Sequence, residues 1–187
     1  MNARSPLAAL TLVALPAIAF AHPGASPHAH GFGDGFVHPL TGLDHLGAML
    51  AVGIWSARDA RRTWVAPLAF LACLLAGALA AAGGLAVPEV EPMIAFSLLA
   101  FGLLMAHRAT LAPALTAALV GGFAWFHGAA HGLELGTGAA LAGMLLATAA
   151  LHLAGIAIGR ALHGRSAWWE RGAGLAVAAF GVSLLAA

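Results

Sequence analysis

Six apolar runs, each near the ~20 residues that a helix needs to cross a bilayer, constrain this chain more than any other feature. They cover about residues 39–56, 64–82, 91–106, 111–133, 138–159 and 168–187. Only 8% of the 187 residues are charged and 61% are hydrophobic, a composition whose natural solvent is a lipid bilayer. The sequence therefore predicts an all-α, polytopic membrane protein with six transmembrane helices. It contains no basic patch that would suit a nucleic-acid partner.

The first 21 residues predict a secretory signal peptide. Arg4 supplies the positive start, residues 7–15 the apolar core, and Ala19-Phe20-Ala21 a small-x-small cleavage site. Removal after Ala21 would leave His22 as the mature N-terminus. That N-terminus would face the periplasm, and the rest of the chain would lie in a bacterial inner (cell) membrane.

A segment over residues 22–37 is rich in His, Gly and Pro and shows no periodicity, so we expect a flexible periplasmic segment as far as Gly35. Its histidines either collect metal, as short His-rich tracts do, or belong to an inert linker. These histidines are His22, His28 and His30. Residues 38–187 would then form the six-helix transmembrane domain.

The arginines test this topology. With the mature N-terminus outside, the first, third and fifth helices run inward and the others outward. All seven arginines beyond the signal peptide then lie on the cytoplasmic side, as the positive-inside rule requires. They are Arg58, Arg61, Arg62, Arg108, Arg160, Arg165 and Arg171.

The first apolar run carries ionisable groups in the stretch FVHPLTGLDHLGAMLAVGIWSA. An acid at bilayer depth costs ~2.5–3.5 kcal/mol on insertion scales, so Asp44 needs an ion or a proton path to stabilise it. In one continuous helix, His38 and His45 would share a face, ~10 Å apart along the axis. Met49 would lie one turn beyond His45 on that face. We interpret this face as the wall of a cation site.

The fourth run carries a second constellation, FHGAAHGLE, in which His127, His131 and Glu134 are spaced by four and then three residues. These spacings place the three side chains on one stripe of a helix, and two His at i, i+4 can reach one metal ion. The fourth helix emerges where the first enters, so both constellations share the outer half of the membrane. Imidazole with some carboxylate suits nickel, cobalt, zinc or copper(II). The six ligands could form one site or two stacked sites.

Three side chains are weaker ligand candidates: Met49, Glu91 and His152. Glu91 opens the third helix, where capping competes with cation binding. His152 lies at mid-membrane depth, where a hydrogen bond to a neighbouring helix competes with a metal or proton role. His107 and His163 lie at the cytoplasmic ends of helices and are expected to be interfacial.

The two constellations resemble the signatures of the HupE/UreJ nickel and cobalt permeases. HPLTGLDHLGAMLAVG, residues 38–53, is similar to the pattern HPxxGxDHxxxMxxVG, and residues 126–134 are similar to the second signature. The resemblance covers essentially the whole chain. It implies secondary uptake of Ni²⁺ or Co²⁺ for hydrogenase, urease or cobalamin pathways, with no prosthetic group. The matched metal ligands are His38, Asp44, His45, His127, His131 and Glu134.

Two other classes of function remain open from the residues alone. One is an intramembrane zinc hydrolase that uses His127, His131, one more ligand and a metal-bound water, with Asp44 or Glu134 as general base and Ser97 as an auxiliary group. The other is a bis-His haem protein that pairs, for example, His45 with His131. The chain has no phosphate-binding loop, which favours a permease that is not an enzyme and does not hydrolyse ATP. The identity of the ion, the driving force and a homo-oligomeric state stay open.

Overall fold

The computed structural model describes residues 31–187, and this part of the chain forms seven α-helices without a strand. The helices are α1 (Phe32–Thr41), α2 (Leu43–Ser56), α3 (Val65–Ala82), α4 (Val90–Ala106), α5 (Pro113–Leu135), α6 (Ala139–Leu162) and α7 (Ala167–Leu185). The all-α prediction is confirmed for these residues. The expected signal peptide lies outside the described residues, as do His22, His28 and His30.

Residues 32–37 are helical, which corrects the expectation of a flexible segment through Gly35. The carboxylate of Asp34 accepts a hydrogen bond from the N–H of Gly31 at 2.9 Å and so caps the start of α1. A Cβ on Gly35 would overlap the carbonyl of Ala140, so α1 packs directly onto the first turn of α6. A composition typical of a linker is overridden here by a close helix contact that only glycine permits.

The chain changes direction at Gly42, whereas the sequence predicted one helix from about Pro39 to Ser56. Gly42 is extended, with φ −80° and ψ 113°, and it separates α1 from α2. α1 runs antiparallel to α6 and α2 runs parallel to it. The facing residues are Gly35 with Ala140 and Phe32 with Gly143 for α1, and Gly53 with Gly155 and Ala57 with Gly159 for α2. The first predicted helix is therefore two helices that meet at an angle.

The outer surface of the helices is apolar. Leu68 and Leu79 on α3 are 60% and 49% exposed, and Leu146 and Leu153 on α6 are 54% and 52% exposed. α3 and α6 are each long and apolar enough to cross a membrane, and α4 is a shorter apolar helix of 17 residues. Exposed apolar faces of this extent suit contact with lipid.

Close packing between α3 and α5 positions the second histidine motif. The two helices run parallel, and they share one of the most extensive contacts in the bundle. A Cβ on Gly128 would overlap the carbonyl oxygen of Leu74, and one on Gly132 would overlap that of Ala78. Any side chain at these positions would push the helices apart, so these two glycines are packing residues, as expected. Their contact sets the depth of His127 and His131.

An ion-pair cluster joins three helices at the opposite end of the bundle. Nη1 of Arg58, which follows α2, lies 2.7 Å from both carboxylate oxygens of Glu170 on α7. Nε of Arg108, which follows α4, lies 3.1 Å from Oε2 of the same glutamate. We call Arg58, Arg108 and Glu170 the arginine end. These contacts bring together arginines that the sequence placed on one side of the membrane.

Candidate metal site

Four histidines from three helices form one continuous group, which we call the histidine cluster: His38 on α1, His45 on α2, and His127 and His131 on α5. The ring centroids lie 4.6 Å apart for His38 and His131, 4.4 Å for His131 and His45, and 5.0 Å for His45 and His127. His45, His127 and His131 are buried. The cluster therefore begins at the end of the bundle that carries Glu134 and continues into the interior.

The change of direction at Gly42 brings His38 and His45 together. The sequence placed them on one helix face, ~10 Å apart along the axis. Their ring centroids are instead 6.1 Å apart, with an interplanar angle of 67°. His38 thus meets His45 through a bend in the chain and not through helical periodicity.

Glu134 forms the rim of the cluster. Its Oε2 lies 3.5 Å from Nε2 of His38 and 3.9 Å from Nδ1 of His131. The potential ligand atoms of these three residues all lie within 4.8 Å of one another. Two ligands of a tetrahedral ion at ~2.0–2.1 Å are ~3.3 Å apart, so the measured distances approach those of a metal site. The side chain of Glu134 is 55% exposed and that of His131 only 1%, so Glu134 is the accessible rim of the cluster and His131 lies inside the bundle.

Asp44 contacts its neighbour His45. Its Oδ1 lies 3.0 Å from Nδ1 of His45, where it accepts the N–H and leaves the lone pair on Nε2. Nε2 of His45 is buried and has no hydrogen-bond partner in the described part of the chain. A carboxylate on the far nitrogen of a metal-binding imidazole fixes its tautomer and raises its basicity. Asp44 is therefore placed to orient His45 through Oδ1, while its role as a direct ligand stays a prediction.

Ser97 on α4 orients His127 in a similar way. Its hydroxyl donates to the carbonyl of Ile94 at 2.7 Å, and its oxygen lies 2.9 Å from Nε2 of His127. A hydroxyl has one proton, so in the arrangement where that proton is donated to Ile94 the oxygen accepts the Nε2–H, and the lone pair of His127 is then on Nδ1. That atom is buried without a hydrogen-bond partner among the described residues. The sequence showed only a hydroxyl in an apolar run and did not reveal this partner.

The three weaker ligand candidates are not members of the histidine cluster. Met49 is fully buried in the apolar core, and Glu91 is exposed in the first turn of α4. His152 on α6 is 2% exposed, and its ring packs against Phe70 on α3 with centroids 5.0 Å apart. Phe70 also contacts His127, at 5.5 Å, and its position between the two histidines could not be read from the sequence.

Fold and site together define a helical membrane protein with a histidine-rich polar site inside its bundle. The family model described as HupE / UreJ protein matches residues 10–184. The chain is also 40% identical over 182 residues to Protein HupE of Rhizobium leguminosarum bv. viciae, and the match covers 94% of each chain. The protein belongs to the HupE/UreJ family, which confirms the resemblance in its two motifs. No solved structure matches the chain.

Proposed function

We propose that the protein is a secondary transporter that imports a divalent transition-metal cation, Ni²⁺ or Co²⁺, for metalloenzyme or cobalamin maturation. Membership of the HupE/UreJ family supports a role associated with the transport of these metals. The observation that carries the proposal is the set of buried ring nitrogens without hydrogen-bond partners in the described chain: Nε2 of His45, Nδ1 of His127 and both ring nitrogens of His131. A buried polar atom without a partner costs ~1–3 kcal/mol, and a bound cation would remove that cost.

The chemistry of the donors supports the choice of ion. Neutral imidazole suits nickel, cobalt, zinc and copper(II), whereas magnesium and calcium require sets of oxygen ligands. Glu134 and Asp44 are the only carboxylates among the six matched ligands, and one is at the rim while the other contacts His45. A cation that enters the cluster would exchange most of its water for imidazole nitrogen.

We infer a topology in which α2 to α7 are the six membrane-spanning helices and α1 packs onto the outer end of α6. The arginine end faces the cytoplasm, in agreement with the positive-inside rule, and the cluster opens to the periplasm at Glu134. In this arrangement the signal peptide is removed after Ala21. The histidines at positions 22, 28 and 30 then capture metal outside the membrane.

The site does not suit the haem alternative. A bis-His haem needs its two axial imidazoles on opposite faces of a porphyrin. The centroids of His45 and His131 are 4.4 Å apart, which leaves no space for a porphyrin plane between the rings. We propose no enzymatic activity, in keeping with membership of a transporter family.

Uptake into proteoliposomes tests the proposal. Purified protein is reconstituted and radiolabelled Ni²⁺ or Co²⁺ is added outside, with liposomes without protein as the control. We expect saturable uptake of at least one of the two ions, with competition by other borderline divalent ions and little competition by excess Mg²⁺. Binding without transfer of either ion into the vesicles would overturn the transporter assignment.

A further inference from the structure

His152 is a buried polar side chain that the histidine cluster does not include. It is 2% exposed, and neither of its ring nitrogens has a hydrogen-bond partner in the described chain. Its face contacts are apolar, with the ring of Phe70 nearly perpendicular to its own at 79°. A histidine that served only to join two helices would use at least one nitrogen for that purpose. Packing alone therefore does not explain an imidazole at this position.

Thr148, on the same helix as His152, is also a buried polar residue without a hydrogen-bond partner for its side chain in the described chain. Its side chain is fully buried, and its hydroxyl oxygen has no hydrogen-bond partner among the residues described. Thr148 and His152 are four residues apart in α6, so both lie on one stripe of the helix. A hydroxyl in a helix can usually bond to a carbonyl of the preceding turn, as Ser56 does to Val52 at 2.6 Å. The hydroxyl of Thr148 lacks that bond and is available to a ligand.

Counting helical rise from the Glu134 end of the bundle orders these groups by depth. At 1.5 Å per residue, His127 lies ~12 Å before the end of α5, and Thr148 lies ~14 Å after the start of α6. Phe70 lies ~18 Å from the end of α3, and His152 lies ~20 Å along α6. His152 is therefore ~8 Å, or about one and a half turns, deeper than His127, the last member of the cluster, and Thr148 lies at a depth between the two. The ring of Phe70 contacts the imidazoles of both His127 and His152.

Three helices meet at the level of His152. Its ring contacts α3 through Phe70, and its backbone carbonyl lies 2.5 Å from where a Cβ on Gly53 of α2 would be. One turn further on, Gly155 is held equally close to the backbone of Leu50. The glycine contact closes the space between α2 and α6 beside and below the imidazole. An ion that reached His152 would therefore be held inside the bundle and away from lipid.

We propose that His152 and Thr148 form an inner binding station for a partly hydrated divalent transition-metal cation, which receives the ion from the histidine cluster. This inference rests on the proposed transport function and adds a second position on the path. His152 supplies an imidazole nitrogen, Thr148 a neutral oxygen, and retained water the remaining ligands. The ring of Phe70 contacts both His127 and His152, and Thr148 lies at a depth between them, so the cation passes from the cluster to His152 in succession.

The test separates binding from transfer, with Co²⁺ as the probe. Full-length His152→Leu is compared with the unmodified protein and with His163→Leu, which removes an exposed histidine just beyond the same helix. Co²⁺ affinity is measured in detergent, and Co²⁺ uptake is measured in proteoliposomes. We expect His152→Leu to keep its affinity within about twofold but to lose at least ~10-fold in uptake rate, the range seen when a side chain that supports a metal site is removed. His163→Leu should change neither quantity.

If His152→Leu does not fold, the variants Thr148→Val and His152→Gln take its place in the uptake and affinity measurements. Thr148→Val preserves shape while it removes the hydroxyl, and we expect a smaller loss of uptake at unchanged affinity. Wild-type uptake in folded His152→Leu, or in both of the other variants, overturns the inner station and leaves the transporter assignment intact. A loss of Co²⁺ affinity as large as that of His131→Ala also overturns it, because His152 would then belong to the cluster. Failure of the unmodified protein to take up metal overturns the transport function itself.

Discussion

The histidine cluster and the arginine end are both polar groups assembled from several helices, but they differ in how their atoms are paired. At the arginine end, Glu170 bonds to Arg58 through both oxygens and to Arg108 through one, and Nε of Arg58 is the one buried side-chain atom of the three that has no hydrogen-bond partner among the described residues. In the cluster, His45, His127 and His131 all keep at least one buried nitrogen without a hydrogen bond in that part of the chain. The buried polar atoms of the arginine end are therefore nearly all paired, whereas those of the histidine cluster are not.

This difference indicates what each group does. Opposite charges that satisfy one another need nothing further and hold helix ends together. In the proposed function, the lone pairs that Asp44 and Ser97 orient, and that no donor reaches in the described residues, would bind a cation from outside the protein. Changes in the cluster should therefore affect metal, and changes at the arginine end should affect stability.

The largest expected effect is the loss of transport in His45→Ala and His131→Ala. Either change removes an imidazole where water is scarce, so the cation is left under-coordinated. We expect uptake of radiolabelled Ni²⁺ and Co²⁺ to be abolished while the protein is inserted at normal levels. His107→Ala and His163→Ala remove exposed histidines and serve as matched controls, with uptake nearly unchanged. Transport by His45→Ala at the unmodified rate would make both motifs structural.

The next effect concerns the orientation of His127. Ser97→Ala removes the acceptor of the Nε2–H and should lower metal affinity ~10–100-fold, as the loss of such outer partners typically does. Titration of the purified variant with Co²⁺ measures this change. Ser97→Thr retains the hydroxyl and should restore most of the affinity. If Ser97→Ala binds Co²⁺ as tightly as the unmodified protein, the hydroxyl does not orient His127.

Acid should weaken metal binding, because protons compete with the cation for the same imidazole lone pairs. As the pH is lowered toward ~6 and below it, we expect the affinity for Co²⁺ or Ni²⁺ to fall, since an imidazole that takes up a proton is no longer a ligand. The ion pairs of the arginine end should persist over the same range, because guanidinium stays protonated. Calorimetric titration at several pH values, with matched buffers, measures the change. Affinity that is independent of pH would argue against imidazole as the main ligand.

The smallest effect on metal is expected at the arginine end. Glu170→Gln removes the shared carboxylate and should destabilise the protein by ~1–2 kcal/mol, because two partly exposed guanidinium groups lose their partner. Metal affinity should stay within about twofold. Thermal unfolding in detergent and Co²⁺ titration measure the two quantities. Asp59→Asn is a suitable control, because the ion pair of Asp59 with Arg62 is exposed and 3.8 Å long. A large loss of metal affinity in Glu170→Gln would show that the two ends are coupled.

Much of the helical arrangement could be read from the sequence. The last five apolar runs correspond to α3 through α7, with ends that differ by at most three residues. This succeeds because long apolar runs bounded by charges and glycines specify helices locally. The two motifs also identified every member of the histidine cluster. For His127 and His131 this succeeds because residue spacing on α5 is a local property.

The sequence by itself therefore determined which histidines belong to the cluster, while the tertiary structure decided how they meet. The bend at Gly42, the helical state of residues 32–37 and the contact of Ser97 with His127 depend on helices that are far apart in the chain. Periodicity describes one helix at a time and contains no information on which neighbour lies against a given face. The neighbour of each face is decided by close glycine contacts along α5 and α6. These contacts set the depth and the partner of each imidazole.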